Sequence, residues 1–191
     1  SALAIFVTSR YDVSYTGTSI VFLEGSKFII NSLRDSLLLA LIMIVLCMVF
    51  LFRSWRIVII SIVTNLIPLI ITAGVMGFCK IPLKPSTVLV FSIALGIAID
   101  VTIRFLVNYK QDLPKNNFEI EKTVQMTIQE TGISIIYTSL ILSAGFIVFL
   151  MSDFDGTKAL GYLTALTLFL AMITNLTILP ALLVWFDRKK K

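Results

Sequence analysis

Asp100 and Arg104 stand four residues apart inside an otherwise apolar run, Thr87 to Tyr109, read TVLVFSIALGIAIDVTIRFLVNY. An ionisable side chain in hydrocarbon costs about 2.5–3.5 kcal/mol on insertion scales, so it marks a functional candidate. On a helix, Gly96, Asp100 and Arg104 share one face. Gly96 leaves room beside the carboxylate for another helix or for water, and Arg104 can pair with it. Desolvation and a neighbouring guanidinium act on a carboxylate in opposite directions. A group poised between them changes protonation when helices shift and water enters, which is what a proton relay requires. The alternative is a permanent salt bridge that only offsets its own cost. A buried pair is often no more stable than an apolar replacement, so stability alone accounts for it poorly.

Further hydroxyls are expected near that depth. If the next apolar run crosses in the opposite direction, Thr138, Ser139 and Ser143, with Tyr137, come level with Asp100 and can hydrogen-bond to it. Asn65 and Asn175 each precede a proline, in Asn65-Leu-Ile-Pro68 and Asn175-Leu-Thr-Ile-Leu-Pro180, and read as helix-packing amides at tolerated kinks. Gly96 joins Gly74, Gly77, Gly145 and Gly161 as small residues that allow helices to approach closely.

Enzyme chemistry finds little support. The chain has no histidine, which excludes an H-E-x-x-H zinc site, and it has no G-x-S-x-G. An intramembrane aspartyl protease needs two membrane aspartates and a G-x-G-D motif. Here Gly96-Ile-Ala-Ile-Asp100 has one residue too many, and no second aspartate lies in a span. No metal and no cofactor is expected. Cys47 and Cys79 lie far apart in or beside apolar runs and read as free thiols.

The elements that position Asp100 follow from composition. The chain is 58% hydrophobic and 14% charged, with mean hydropathy +0.98, against about 45–50% and 25% for soluble domains. That excess defines an integral membrane protein. The net charge of +5 comes from basic residues at the ends of apolar runs, so no nucleic-acid partner is implied. Five runs are long enough to cross, over 36–52, 57–78, 87–107, 133–151 and 159–186, since a span needs about 17–25 residues. They do not alternate apolar with polar, which excludes barrel strands.

Residues 1–30 differ. Ala2–Val7 and Ser19–Leu23 are short apolar runs with turn residues between them, and read as the last strands of an extracytoplasmic domain. The chain opens on Ser1 without a signal-peptide pattern, which suggests a piece of something longer. Ten basic residues fall on one side: Arg53 and Arg56; Arg104, Lys110, Lys115 and Lys122; and the tail Arg188 to Lys191, over 188–191. Lys80, Lys84 and Lys158 fall on the other. The positive-inside rule puts the ten in the cytoplasm, with the N-terminus outside and the C-terminus inside. Between the third and fourth spans, Pro114 stops one helix and Asn116-Asn117 can cap a short amphipathic surface helix over 117–131, closed or bent at Gly132.

These residues together resemble a known family. Ala94-Leu-Gly-Ile-Ala-Ile-Asp100-Val-Thr-Ile-Arg-Phe-Leu-Val-Asn-Tyr109 resembles the G-x-x-x-D helix of the resistance–nodulation–division (RND) superfamily, especially its MMPL-type exporters. Leu51-Phe-Arg-Ser54, Asn65-Leu-Ile-Pro68, Thr131-Gly-Ile-Ser-Ile-Ile-Tyr-Thr-Ser139, Gly156-Thr-Lys-Ala-Leu-Gly161 and Asn175 to Pro180 agree in order and spacing, most strongly over 17–186. The resemblance implies an all-α membrane fold of five helices, helices eight to twelve of such a transporter, after the remnant of an α/β extracytoplasmic domain over 1–30. The membrane domain would run over 31–187.

It further implies proton-driven export of lipids or other hydrophobic substrates at a bacterial inner membrane. Expected partners are membrane lipids, the N-terminal half of the same transporter and further copies of the chain. Asp100 matches the family's proton-relay aspartate. Two positions depart from the pattern: Val101 stands where many members carry a second acid or a tyrosine, and Arg104 where many carry histidine. The five helices also resemble a sterol-sensing domain, a lipid-binding module without pumping. An isolated half without transport activity is the third alternative.

Overall fold

The computed structural model describes residues 17–82 and 84–187. Its elements are α1 (Thr18–Phe52), α2 (Trp55–Phe78), α3 (Pro85–Asp112), α4 (Ile120–Ile147), a 3-10 turn (Val148–Met151) and α5 (Asp155–Asp187). No strand occurs among the described residues. All five helices are long and apolar enough to cross a membrane. The expected fold class is therefore observed in its membrane part.

Two expectations are corrected. Ser19–Leu23 is not a strand but the first turns of α1, which continues without interruption into the span. The run looks strand-like alone, yet the long helix that follows it extends through Gly25 at no steric cost. Ala2–Val7 lies outside the described residues. The surface helix expected over 117–131 begins instead at Ile120 and is one body with the fourth span. Asn117 does not cap it but adopts a left-handed turn conformation, φ 52°. Gly132 keeps helical geometry, and its missing side chain admits Leu176 of α5 to 3.3 Å of where a Cβ would sit.

Successive helices run antiparallel, and polar contacts fix the ends. The ammonium of Lys110, near the end of α3, donates to the carbonyls of Leu51 and Phe52 at 3.4 and 2.8 Å. Those carbonyls close α1 and have no partner within it. Arg53 then turns the chain through a left-handed residue, φ 50°, with its N–H bonded to Val49 O at 2.9 Å. Asn108 Nδ2 donates to Thr131 Oγ1 at 2.8 Å and joins α3 to α4. α5 packs against α2, α3 and α4. The main core, around Phe105, Leu106, Ile135, Leu179 and Leu183, fills the half of the bundle nearer Lys110. α1 is largely exposed and meets this core through Met48 and Phe52.

Close approach through glycine occurs at Gly161. A Cβ there would lie 2.6 Å from the carbonyl oxygen of Phe146 and 2.8 Å from the Cβ of Phe149. Gly74, Gly77, Gly96 and Gly145 have no atom of another helix within 4 Å of the same position, so the packing role expected of them is not exercised within this bundle. Cys47 and Cys79 are both free and exposed.

Candidate functional site

α3 presents two unlike faces. Ala98, Val101, Thr102 and Phe105 point into the bundle and are buried. Gly96, Asp100 and Arg104 line the opposite, exposed face. Asp100 is the sixteenth residue of α3, about 23 Å along a helix rising 1.5 Å per residue. Arg104 Nη2 donates to Asp100 Oδ2 at 2.7 Å. The Asp100 side chain is 67% exposed and that of Arg104 44%, so the pair is not enclosed by these five helices.

The hydroxyls expected beside Asp100 lie elsewhere. Thr138 donates to the carbonyls of Ser134 and Ile135 in its own helix, at 2.9 and 3.2 Å. Ser143 is buried and donates to Ala165 O of α5 at 3.4 Å. Ser139 is also buried, on the inward face that α4 shares with Ile135 and Thr131. Equal depth is not equal direction: Ser143 faces α5, and Thr138 bonds only its own helix.

Asn65 and Asn175 meet through a residue that the sequence did not single out. Thr102 Oγ1 lies 3.0 Å from Asn65 Oδ1 on α2, 2.7 Å from Asn175 Oδ1 on α5, and 2.9 Å from its own Ala98 O. All three side chains are essentially dry. Asn65 Nδ2 donates back to Ser61 O at 2.9 Å, and Ser61 Oγ to Met48 Sδ of α1 at 3.6 Å. A hydroxyl donates one hydrogen and cannot serve three acceptors. With Asn175 presenting its Nδ2–H, Thr102 Oγ1 accepts from Asn175 and shares its one hydrogen between Asn65 Oδ1 and Ala98 O. A second buried bond, Thr72 Oγ1 to Thr167 Oγ1 at 2.8 Å, ties α2 to α5. These contacts lock the rotation of α3, and thereby aim Asp100 outward. The one signal in the sequence was that Asn65, Thr102 and Asn175 each sit deep in a different span.

Outside the spans, Asp112 accepts from Lys115 Nζ at 2.8 Å. The hydrogen bond, and then the attraction of the carboxylate, raise the Lys115 amine above its ordinary range. Among the described residues there is no cluster of three or more His, Cys, Asp or Glu that could hold a metal.

Five antiparallel membrane-length helices with a charged pair midway along the third define a multi-pass membrane protein. The chain belongs to the MMPL family, whose model matches residues 4–191, within the RND superfamily. It is 31% identical over 148 residues to the membrane protein MJ1562 of Methanocaldococcus jannaschii, covering 78% of this chain and 38% of that protein. It is 26% identical over 135 residues to the hopanoid transporter HpnN of Burkholderia multivorans, covering 70% and 15%. It is 25% identical over 165 residues to the multidrug resistance protein MdtC of Salmonella arizonae, covering 85% and 16%. The chain thus spans well under half the length of these relatives.

Proposed function

We propose that the chain is one membrane domain of a proton-driven exporter of lipid or other hydrophobic substrates, and that Asp100 carries the proton. The observation behind this is the open Gly96–Asp100–Arg104 face of α3. A carboxylate and a guanidinium at mid-span cannot rest against lipid tails without heavy cost. They require a polar covering, supplied by a second helical bundle and by water reaching between the two. Asp100 then gains and loses a proton as the bundles rock, with Arg104 releasing and recapturing the carboxylate. Thr138, Ser139 and Ser143 support the relay only if α4 rotates, because their present partners are backbone or core.

The hydrophobic character of the cargo rests on kinship with a hopanoid transporter. The excess of basic residues at Arg53, Arg56, Lys110 and the tail supports reading that side as cytoplasmic, and an inner membrane is part of the same proposal. The N-terminal half of the transporter, or a further copy, supplies the missing cover. The experiment is substrate transport by the intact protein in proteoliposomes under an imposed pH gradient. Asp100→Asn is expected to abolish gradient-driven transport at normal abundance, and transport at the unmodified rate would refute the carrier role.

A further inference from the structure

The basic end of the bundle holds a cavity of about 160 Å³ that the relay does not use. It is enclosed by the end of α1, the start of α2 and the ends of α3 and α5. Phe52, Ile57, Ile60 and Leu183 supply an apolar wall, and Arg56 and Lys110 line the same cavity. An apolar hollow with two cations in its lining suits an amphiphile with an anionic head.

Depth points the same way. These residues lie within about six positions of a helix end, hence within about 9 Å of it at 1.5 Å per residue. The headgroup zone of one leaflet is about 5–8 Å thick. The chain has two tryptophans, Trp55 and Trp185, and each adjoins a residue lining this cavity. Both are exposed, and Trp185 stands edge-on to the lining residue Phe186 at 4.8 Å. Tryptophan collects at the membrane–water interface, so the cavity sits at headgroup level.

No carboxylate pairs with either cation among the described residues, although the Lys110 ammonium also stands 5.8 Å from the centroid of the Phe52 ring. Arg56 makes no ion pair among the described residues and is exposed. Lys110 donates to the carbonyls of Leu51 and Phe52, which do not neutralise its charge, and a third hydrogen remains. Asp112 is committed to Lys115.

The geometry points to a binding site for one anionic phospholipid. Its phosphate sits between Arg56 and Lys110, and its glycerol and first methylenes lie against Phe52 and Ile60. The lipid staples α1 to α3 and α5 at the end where α1 is held. Basic pockets between membrane helices recognise headgroups in this manner.

The test uses the intact purified protein, delipidated in detergent and titrated with short-chain phosphatidylglycerol or phosphatidylcholine, with bound states counted by native mass spectrometry. Arg56→Gln is expected to weaken phosphatidylglycerol binding about fivefold, the worth of one surface cation, and to leave phosphatidylcholine unchanged. Arg56→Lys restores binding, which separates lost charge from lost fold. Ile57→Trp, which fills the hollow and keeps every charge, also lowers binding. Equal binding by Arg56→Gln and the unmodified protein overturns the site. So does an equal loss of both lipids. Displacement by inorganic phosphate at the concentration of the lipid overturns the lipid assignment in favour of a free-anion site.

Discussion

Thr102 and Asn175 lie 2.7 Å apart between α3 and α5, and Thr102 is two residues beyond Asp100 on the opposite face of α3. The buried contact and the exposed charge are therefore coupled by a single rigid helix. Thr102→Val keeps the shape and removes the hydroxyl. It should lower the stability of the purified protein by about 0.6–1.7 kcal/mol, the range for interhelical polar contacts in membranes. A double-mutant cycle with Asn175→Ala should show coupling, and strict additivity would mean that the two side chains do not interact.

Arg104 Nη2 holds Asp100 Oδ2 at 2.7 Å, so the proposed relay requires that contact to break and re-form. Replacing Arg104 with glutamine should move the pH profile of transport, while Arg104→Lys should keep the profile closer to the original. Transport measured across a pH series in proteoliposomes decides. Loss of the folded protein in Arg104→Gln would instead make the pair a structural salt bridge.

Gly161 is predicted to be the least replaceable glycine in the spans. Alanine there meets the Phe146 carbonyl oxygen at 2.6 Å, a backbone atom that cannot swing aside. Overpacking of this kind costs about 1–3 kcal/mol. Gly74→Ala, with open space around it, should be neutral or gain up to about 1 kcal/mol from helix propensity. Thermal unfolding in detergent compares the two, and equal melting temperatures would contradict the close contact.

The Asp112–Lys115 contact gives a pH expectation with a definite sign. Its stability is complete below the ordinary lysine pKa and is lost as pH climbs through the raised folded value. The turn between α3 and α4 should therefore hold its amide protection from about pH 6 to 9 and loosen only in stronger alkali. Hydrogen exchange at Asn116, whose N–H bonds to Asp112 O at 3.1 Å, reports it. Lys115→Gln should remove the alkaline step, and loosening already at neutral pH would exclude this pair as its source.

The five helices were legible because long apolar runs admit few other structures, and the Asp100–Arg104 pair was legible because four residues make one turn. Ser19–Leu23 misled because a five-residue run carries no period long enough to tell a strand from the start of a helix. The placement of Thr138, Ser139 and Ser143 was not legible either. Depth along a span follows from counting, but rotation about the helix axis follows from packing, here from Ile135 and Thr131 turned inward. Thr102 escaped notice because threonine satisfies its own helix backbone and looks neutral in a span. Its role exists only when Asn65 and Asn175 arrive from two other helices.

The clamp at Phe52 and Lys110 has a mechanical consequence. The 35 residues of α1 make a rod about 52 Å long, and hydrocarbon covers about 30 Å of it. The rod grips the bundle near Met48 and Phe52 and carries its charged stretch, Glu24 to Asp35, toward the far end. Its anchored end thus lies at the headgroup level of one leaflet, with the rest of its length running away from that anchor. The anchor ties α1 to the same helix that carries the charged pair, with Lys110 ten residues and about 15 Å from Asp100.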